Sequence, residues 1–104
     1  MKNEKELQEL YKECIDFWGF RSQARMAQEE CAELIIAISH ELRKRPTGRE
    51  EMIEECADVY LMLNQMMKYV GKDKVMEMVD FKSNRTKAKL NRYKAEKSVW
   101  KLKV

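Results

Sequence analysis

The string Glu29-Glu30-Cys31-Ala32-Glu33 returns almost unchanged as Glu54-Glu55-Cys56-Ala57-Asp58. Each copy sets three carboxylates into one helical turn, where residues three and four apart are neighbours. Like charges so placed cost an isolated helix about 0.2–0.5 kcal/mol per pair. The flanking residues are largely Ala, Leu, Ile and Met, so two otherwise apolar stretches tolerate the penalty. A divalent cation neutralises such a cluster most simply, because hard cations take oxygen ligands and gather negative charge. The single histidine, His40, lies seven residues past Glu33, and no Glu-x-x-His spacing occurs, so the di-iron bundle signature is missing. Zinc would want thiolate or imidazole at closer spacing. Mg2+ remains, with Mn2+ as a substitute. Magnesium keeps waters and completes its shell with substrate phosphates, which points to a phosphorylated substrate.

The elements that must position these acids read as helices throughout. The chain has three Gly and one Pro, and its apolar residues recur at steps of three and four, so the expected class is all-α. A first helix is expected over about Glu4–Trp18, with Leu7, Leu10, Tyr11, Cys14, Ile15 and Trp18 as its stripe and Gly19 as its break. A second runs from about Ser22 to Arg43, turning Met26, Leu34, Ile35, Ile38 and Leu42 to a core. Pro46 cannot continue it and pushes Arg45 out of helical geometry. Thr47-Gly48-Arg49-Glu50 fits a capping box, with Thr47 as N-cap. The third helix then runs to about Val70, carrying Met52, Cys56, Val59, Leu63, Met66 and Val70, and Gly71 ends it. The fourth is expected over about Asp73–Tyr93, with Val75, Met78, Val79 and Phe81 on its apolar side.

The short loop between helices two and three predicts an antiparallel hairpin. Counted from that turn, the two acidic patches differ in depth by roughly 5 Å at the helical rise of ~1.5 Å per residue. Glu30, Glu33, Glu55 and Asp58 are therefore expected to converge between the two helices.

At 104 residues the chain fits one domain or one protomer of an assembly. No run approaches the ~20 apolar residues of a membrane span, and the amino terminus lacks an apolar signal core. A cytoplasmic protein is expected. The three cysteines form no C-x-x-C pair and read as thiols, with small buried residues at helix contacts as the plain role of Cys31 and Cys56. His40 reads as a surface residue late in its helix. From Lys82 onward there are nine Lys/Arg against one acid, a net +8, which leaves residues 1–81 at −5. The expected organisation is a helical domain over 1–93 and a basic tail over 94–104 anchored by Val99 and Trp100.

Glu29-Glu30-x-x-Glu33 followed by Glu55-x-x-Asp58 resembles the signature of the MazG-like all-α nucleoside triphosphate pyrophosphohydrolases. The resemblance spans about Trp18 to Arg92 and is to the short single-domain members. It implies an antiparallel helical protomer that completes a four-helix bundle by dimerisation or tetramerisation. It also implies Mg2+-dependent cleavage of an NTP or dNTP to the monophosphate and pyrophosphate. Carried across residue by residue, Glu30, Glu33, Glu55 and Asp58 match the metal ligands, and Glu29 the acid that orients a ligand or polarises the attacking water. Lys82, Asn84 and Arg85 match the phosphate-binding residues of the last helix, although Lys89-Leu90-Asn91-Arg92 has a similar composition. For the base, Trp18 offers a stacking face and Gln23 an amide. The alternative is a helical binding module in which the basic segment from Lys82 to Lys103 grips nucleic acid or an acidic protein. It leaves the duplicated acidic turn without a purpose, and no groove-binding motif accompanies it.

Overall fold

The computed structural model describes residues 1–103, the last five of them by backbone alone. The described residues form four helices and no strand: α1 (Glu4–Trp18), α2 (Phe20–Leu42), α3 (Gly48–Val70) and α4 (Lys72–Lys103). The chain divides into two compact units, Met1–Val70 and Gly71–Val104. None of the described helices is long and apolar enough to cross a membrane.

Local chemistry fixes each boundary of the first unit. Asn3 opens α1 with a capping box. Its side-chain oxygen accepts from the Glu6 amide at 2.8 Å, and its own amide donates to Glu6 Oε1 at 3.1 Å. Gly19, at φ 84°, is the whole break between α1 and α2, so α2 starts at Phe20 rather than Ser22. At the other end of α2, the amide of Lys44 donates to the Glu41 carbonyl and that of Arg45 to the His40 carbonyl. This is a Schellman closure in which Lys44, at φ 56°, occupies the left-handed position usually given to Gly.

The expected box between Thr47 and Glu50 does not form among the described residues, and Thr47 instead meets the next acid side chain to side chain. The Thr47 hydroxyl donates to Glu51 Oε1 at 3.0 Å, and Glu51 Oε2 lies 2.6 Å from His40 Nδ1. His40 is thus a half-buried tie between the end of α2 and the start of α3, not a free surface residue, because the tight turn folds Glu51 back beside it. The imidazole, followed by the Thr47 hydroxyl, holds the Glu51 carboxyl below its ordinary value. Gly48 is buried in the same turn, and a Cβ there would stand 2.8 Å from both Cα and N of Glu41. Backbone cannot yield as a side-chain tip can, so Gly48→Ala should lose about 1–3 kcal/mol of stability, read by urea unfolding.

Helices α2 and α3 form the expected antiparallel hairpin. Phe20 stacks on Tyr69 with centroids 3.6 Å apart, Gln23 meets Gln65, and His40 meets Glu51 at the turn. The buried positions expose the seam. On α2, Gln23 and Ala37 are buried with Glu30 midway between them; on α3, Gly48 and Met62 are buried with Glu55 midway. These are seven-residue steps, the spacing that keeps one helical face turned to a neighbour. Helix α1 packs on both, and its Tyr11 is 1% exposed, the one large side chain fully enclosed among the described residues.

Several residues expected in the core are instead exposed. Ile35 is 69% and Leu63 51% accessible, and Ile38, Leu42, Cys56 and Val70 are exposed as well. The helices carry apolar residues on more than one side, and the seam takes small or polar ones where the backbones approach. Cys31 is also exposed, which corrects its expected buried role, whereas Cys14 is half-buried.

Helix α4 begins at Lys72 and runs through Lys103, past the expected end at Tyr93 and into the segment read as a tail. Lys94–Lys103 contains no Gly or Pro, and its Lys, Ala, Glu and Leu residues favour helix. Its terminal lysines also suit the negative end of the helix dipole. The side chains of Val99 and Trp100, expected as anchors, lie outside the described residues. From Met76 to Ser98 every residue is exposed.

Candidate metal centre and its cavity

Because the acidic turns fall on the seam, their carboxylates are turned toward each other. Glu30, Glu55 and Asp58 each offer an oxygen, and the three oxygens lie within 4.8 Å of one another. Among the described residues no other hydrogen-bond donor reaches the buried Glu30 Oε2 and Glu55 Oε2, and the two carboxyls are close enough to share a proton when no cation is bound. Buried polar atoms are nearly always bonded, so the facing pair needs either that shared proton or a ligand. The donor set is all oxygen and strongly negative, which fits Mg2+ or Mn2+ and fits a soft-ligand metal poorly.

Glu33 stands at the rim of this group, exposed, but near enough that its charge bears on both Glu30 and Glu55. Glu29 is exposed and outside the three that converge. Burial, followed by the charges of Asp58, Glu33 and Glu55, pushes the Glu30 carboxyl up to about 7. Glu55 is raised by burial first and then by Glu33 and Asp58.

The pH consequence follows from the direction. An unfolded Glu30 loses its proton near 4.5, but the folded one holds it to about 7. Through that interval the unfolded chain binds fewer protons, so stability falls as pH rises. Glu51 has the opposite shift, and its contribution is lost only as pH drops below 4.5. In chelator, the melting temperature should therefore decline between pH 4.5 and 7, and excess Mg2+ at neutral pH should recover it. A thermal scan at several pH values, with and without the cation, reads both effects.

A cavity of about 260 Å3 adjoins the acids, with Glu30 and Asp58 on its wall. Trp18 and Gln23, the expected base-binding pair, both line it. So do Tyr11 and Gln65, which the sequence reading did not assign to a site. The Gln23 amide donates to Gln65 Oε1 at 2.7 Å, and the Gln65 amide donates to the Met62 sulfur at 3.7 Å. The Tyr11 hydroxyl is buried and unpartnered among the described residues, and desolvation raises its pKa. A polar Gln65 between Met62 and Met66 was the available signal for its role; Tyr11 looked like any other member of an apolar stripe.

Lys82, Asn84 and Arg85 lie within one turn of α4, exposed, in the second compact unit. Set against protein-family models, curated proteins and solved structures, the chain matches none of them.

Proposed function

We propose that this chain is an Mg2+-dependent nucleoside triphosphate pyrophosphohydrolase, cleaving an NTP or dNTP to the monophosphate and pyrophosphate. The observation that carries the reading is the convergence of one oxygen each from Glu30, Glu55 and Asp58 to within 4.8 Å of one another, with Glu30 Oε2 and Glu55 Oε2 buried and with Glu30 and Asp58 on the wall of a cavity. Glu30, Glu55 and Asp58 would hold the cation, with Glu33 completing the set from the rim. When bound, Mg2+ supplies Lewis acidity toward phosphate oxygens and lowers the pKa of water.

The chain's own residues do the rest. Glu29, exposed at the edge of the acidic turn, is placed by the resemblance to orient the attacking water. The cavity receives the base: Trp18 gives it an aromatic face, and the Gln23–Gln65 amides offer an acceptor and a donor. Tyr11 adds a hydroxyl that has no partner among the described residues. Lys82, Asn84 and Arg85 are the residues assigned to the phosphates, where cations offset charge on the leaving pyrophosphate. The exposed Ile35, Leu42, Ile53 and Leu63 on α2 and α3 support a homodimer or homotetramer in which a second hairpin completes a four-helix bundle.

The test is to incubate the protein with each NTP and dNTP plus Mg2+, measuring pyrophosphate against orthophosphate. Pyrophosphate release that disappears in Glu33→Ala and in Asp58→Ala is the expected result. Release unaffected by both substitutions would remove the site from consideration.

A further inference from the structure

The tetrapeptide Lys82-Ser83-Asn84-Arg85 recurs seven residues on as Lys89-Leu90-Asn91-Arg92. The helix continues unbroken through both, so the repeat falls on one face. Lys82, Arg85, Lys89 and Arg92 are spaced three, four and three apart, which confines them to an arc of roughly 80° over an axial length of roughly 15 Å. All four are exposed, and among the described residues none of them makes an ion pair. From Lys82 on, Glu96 is the single acid. A row of like charges so close together is unfavourable unless something anionic runs along it.

Two aromatic rings border the row. The Arg85 guanidinium lies 5.9 Å from the centroid of the Phe81 ring, and that of Arg92 lies 5.6 Å from the Tyr93 ring. Phe81 is 62% and Tyr93 54% exposed. Cations in a line with open aromatic faces beside them suit a partner that repeats phosphate and carries planar rings. We propose that this face of α4 binds single-stranded nucleic acid, phosphates along the four cations and bases against Phe81 and Tyr93. Stacking of that kind tolerates any sequence, because every base has a π-face. An acidic protein would match the charges and leave the rings without a role.

Lys82 and Arg85 are also assigned to the substrate phosphates, so the test rests on the second copy of the repeat. Fluorescence anisotropy of labelled oligothymidylate and oligouridylate would be followed across salt concentrations, with a duplex and a polyglutamate peptide as competitors. With four phosphates neutralised, the slope of log affinity against log salt should be about −2.8 for single strands. Lys89→Ala/Arg92→Ala should bring it to about −1.4 and weaken binding at least ~10-fold. Tyr93→Ala should weaken single-strand binding and spare any duplex binding, with helicity by circular dichroism unchanged. No binding at low salt, binding indifferent to the double substitution, or preference for the duplex or the peptide would overturn the proposal. Each of those outcomes leaves the pyrophosphohydrolase reading standing, since the acidic centre lies on other helices.

Discussion

Glu30→Gln is expected to abolish Mg2+-dependent pyrophosphate release while making the metal-free protein more stable. The loss should be at least ~100-fold, since metal-assisted stabilisation of phosphate charge is worth several kcal/mol in the transition state. The gain has a separate cause. Glu30 ionises against burial and against Asp58, Glu33 and Glu55, which is why its carboxyl titrates near 7. An uncharged amide of the same shape removes that repulsion. Activity and stability should therefore move in opposite directions at neutral pH, which a merely structural carboxylate would not produce. Glu50→Gln, an exposed acid in the first turn of α3 outside the cluster, should change neither. The pyrophosphate assay and a thermal scan in chelator read the two arms.

The second large effect concerns Tyr11. It is the most deeply buried large side chain described, where α1 meets the α2–α3 hairpin. Truncating a buried aromatic to Ala costs about 3–5 kcal/mol. Against a total of about 5–15 kcal/mol for a typical protein, Tyr11→Ala should leave the chain near its folding threshold. Tyr11→Phe should behave differently, because the hydroxyl it removes has no partner among the described residues and its burial is a cost. Stability should be equal or higher. If the hydroxyl meets the substrate, KM should rise in that variant while the melting temperature holds. Urea unfolding of both variants, beside the kinetics of Tyr11→Phe, separates the packing role from the recognition role.

Much of this arrangement was legible in the chain. Gly19, Pro46 and Gly71 mark the helix breaks because each imposes a backbone geometry that helices do not share. The acidic centre was legible because the repeat places carboxylates on two helices that a short loop forces together. Partners were harder to read. Periodicity says that α2 and α3 have apolar sides without saying which side meets which helix, so Ile35 and Leu63 were expected inside and are exposed. The seam itself holds Gln23, Ala37, Gly48 and Gln65, residues whose small size or polarity hides them from an apolar-stripe reading. The His40–Glu51 contact was equally invisible, since it depends on how tightly the turn closes over Gly48. Trp18 and Gln23 could be matched to a base site, but only three dimensions put Tyr11 and Gln65 beside them.

The most direct test of the central claim is a Mn2+ titration followed by electron paramagnetic resonance, since bound manganese loses the sharp signal of the free ion. The wild-type chain should take up Mn2+ saturably, Mg2+ should displace it, and Glu55→Gln and Asp58→Ala should each weaken uptake at least ~10-fold. Uptake absent from the wild type, or undiminished in both variants, would contradict a hard-cation site between α2 and α3.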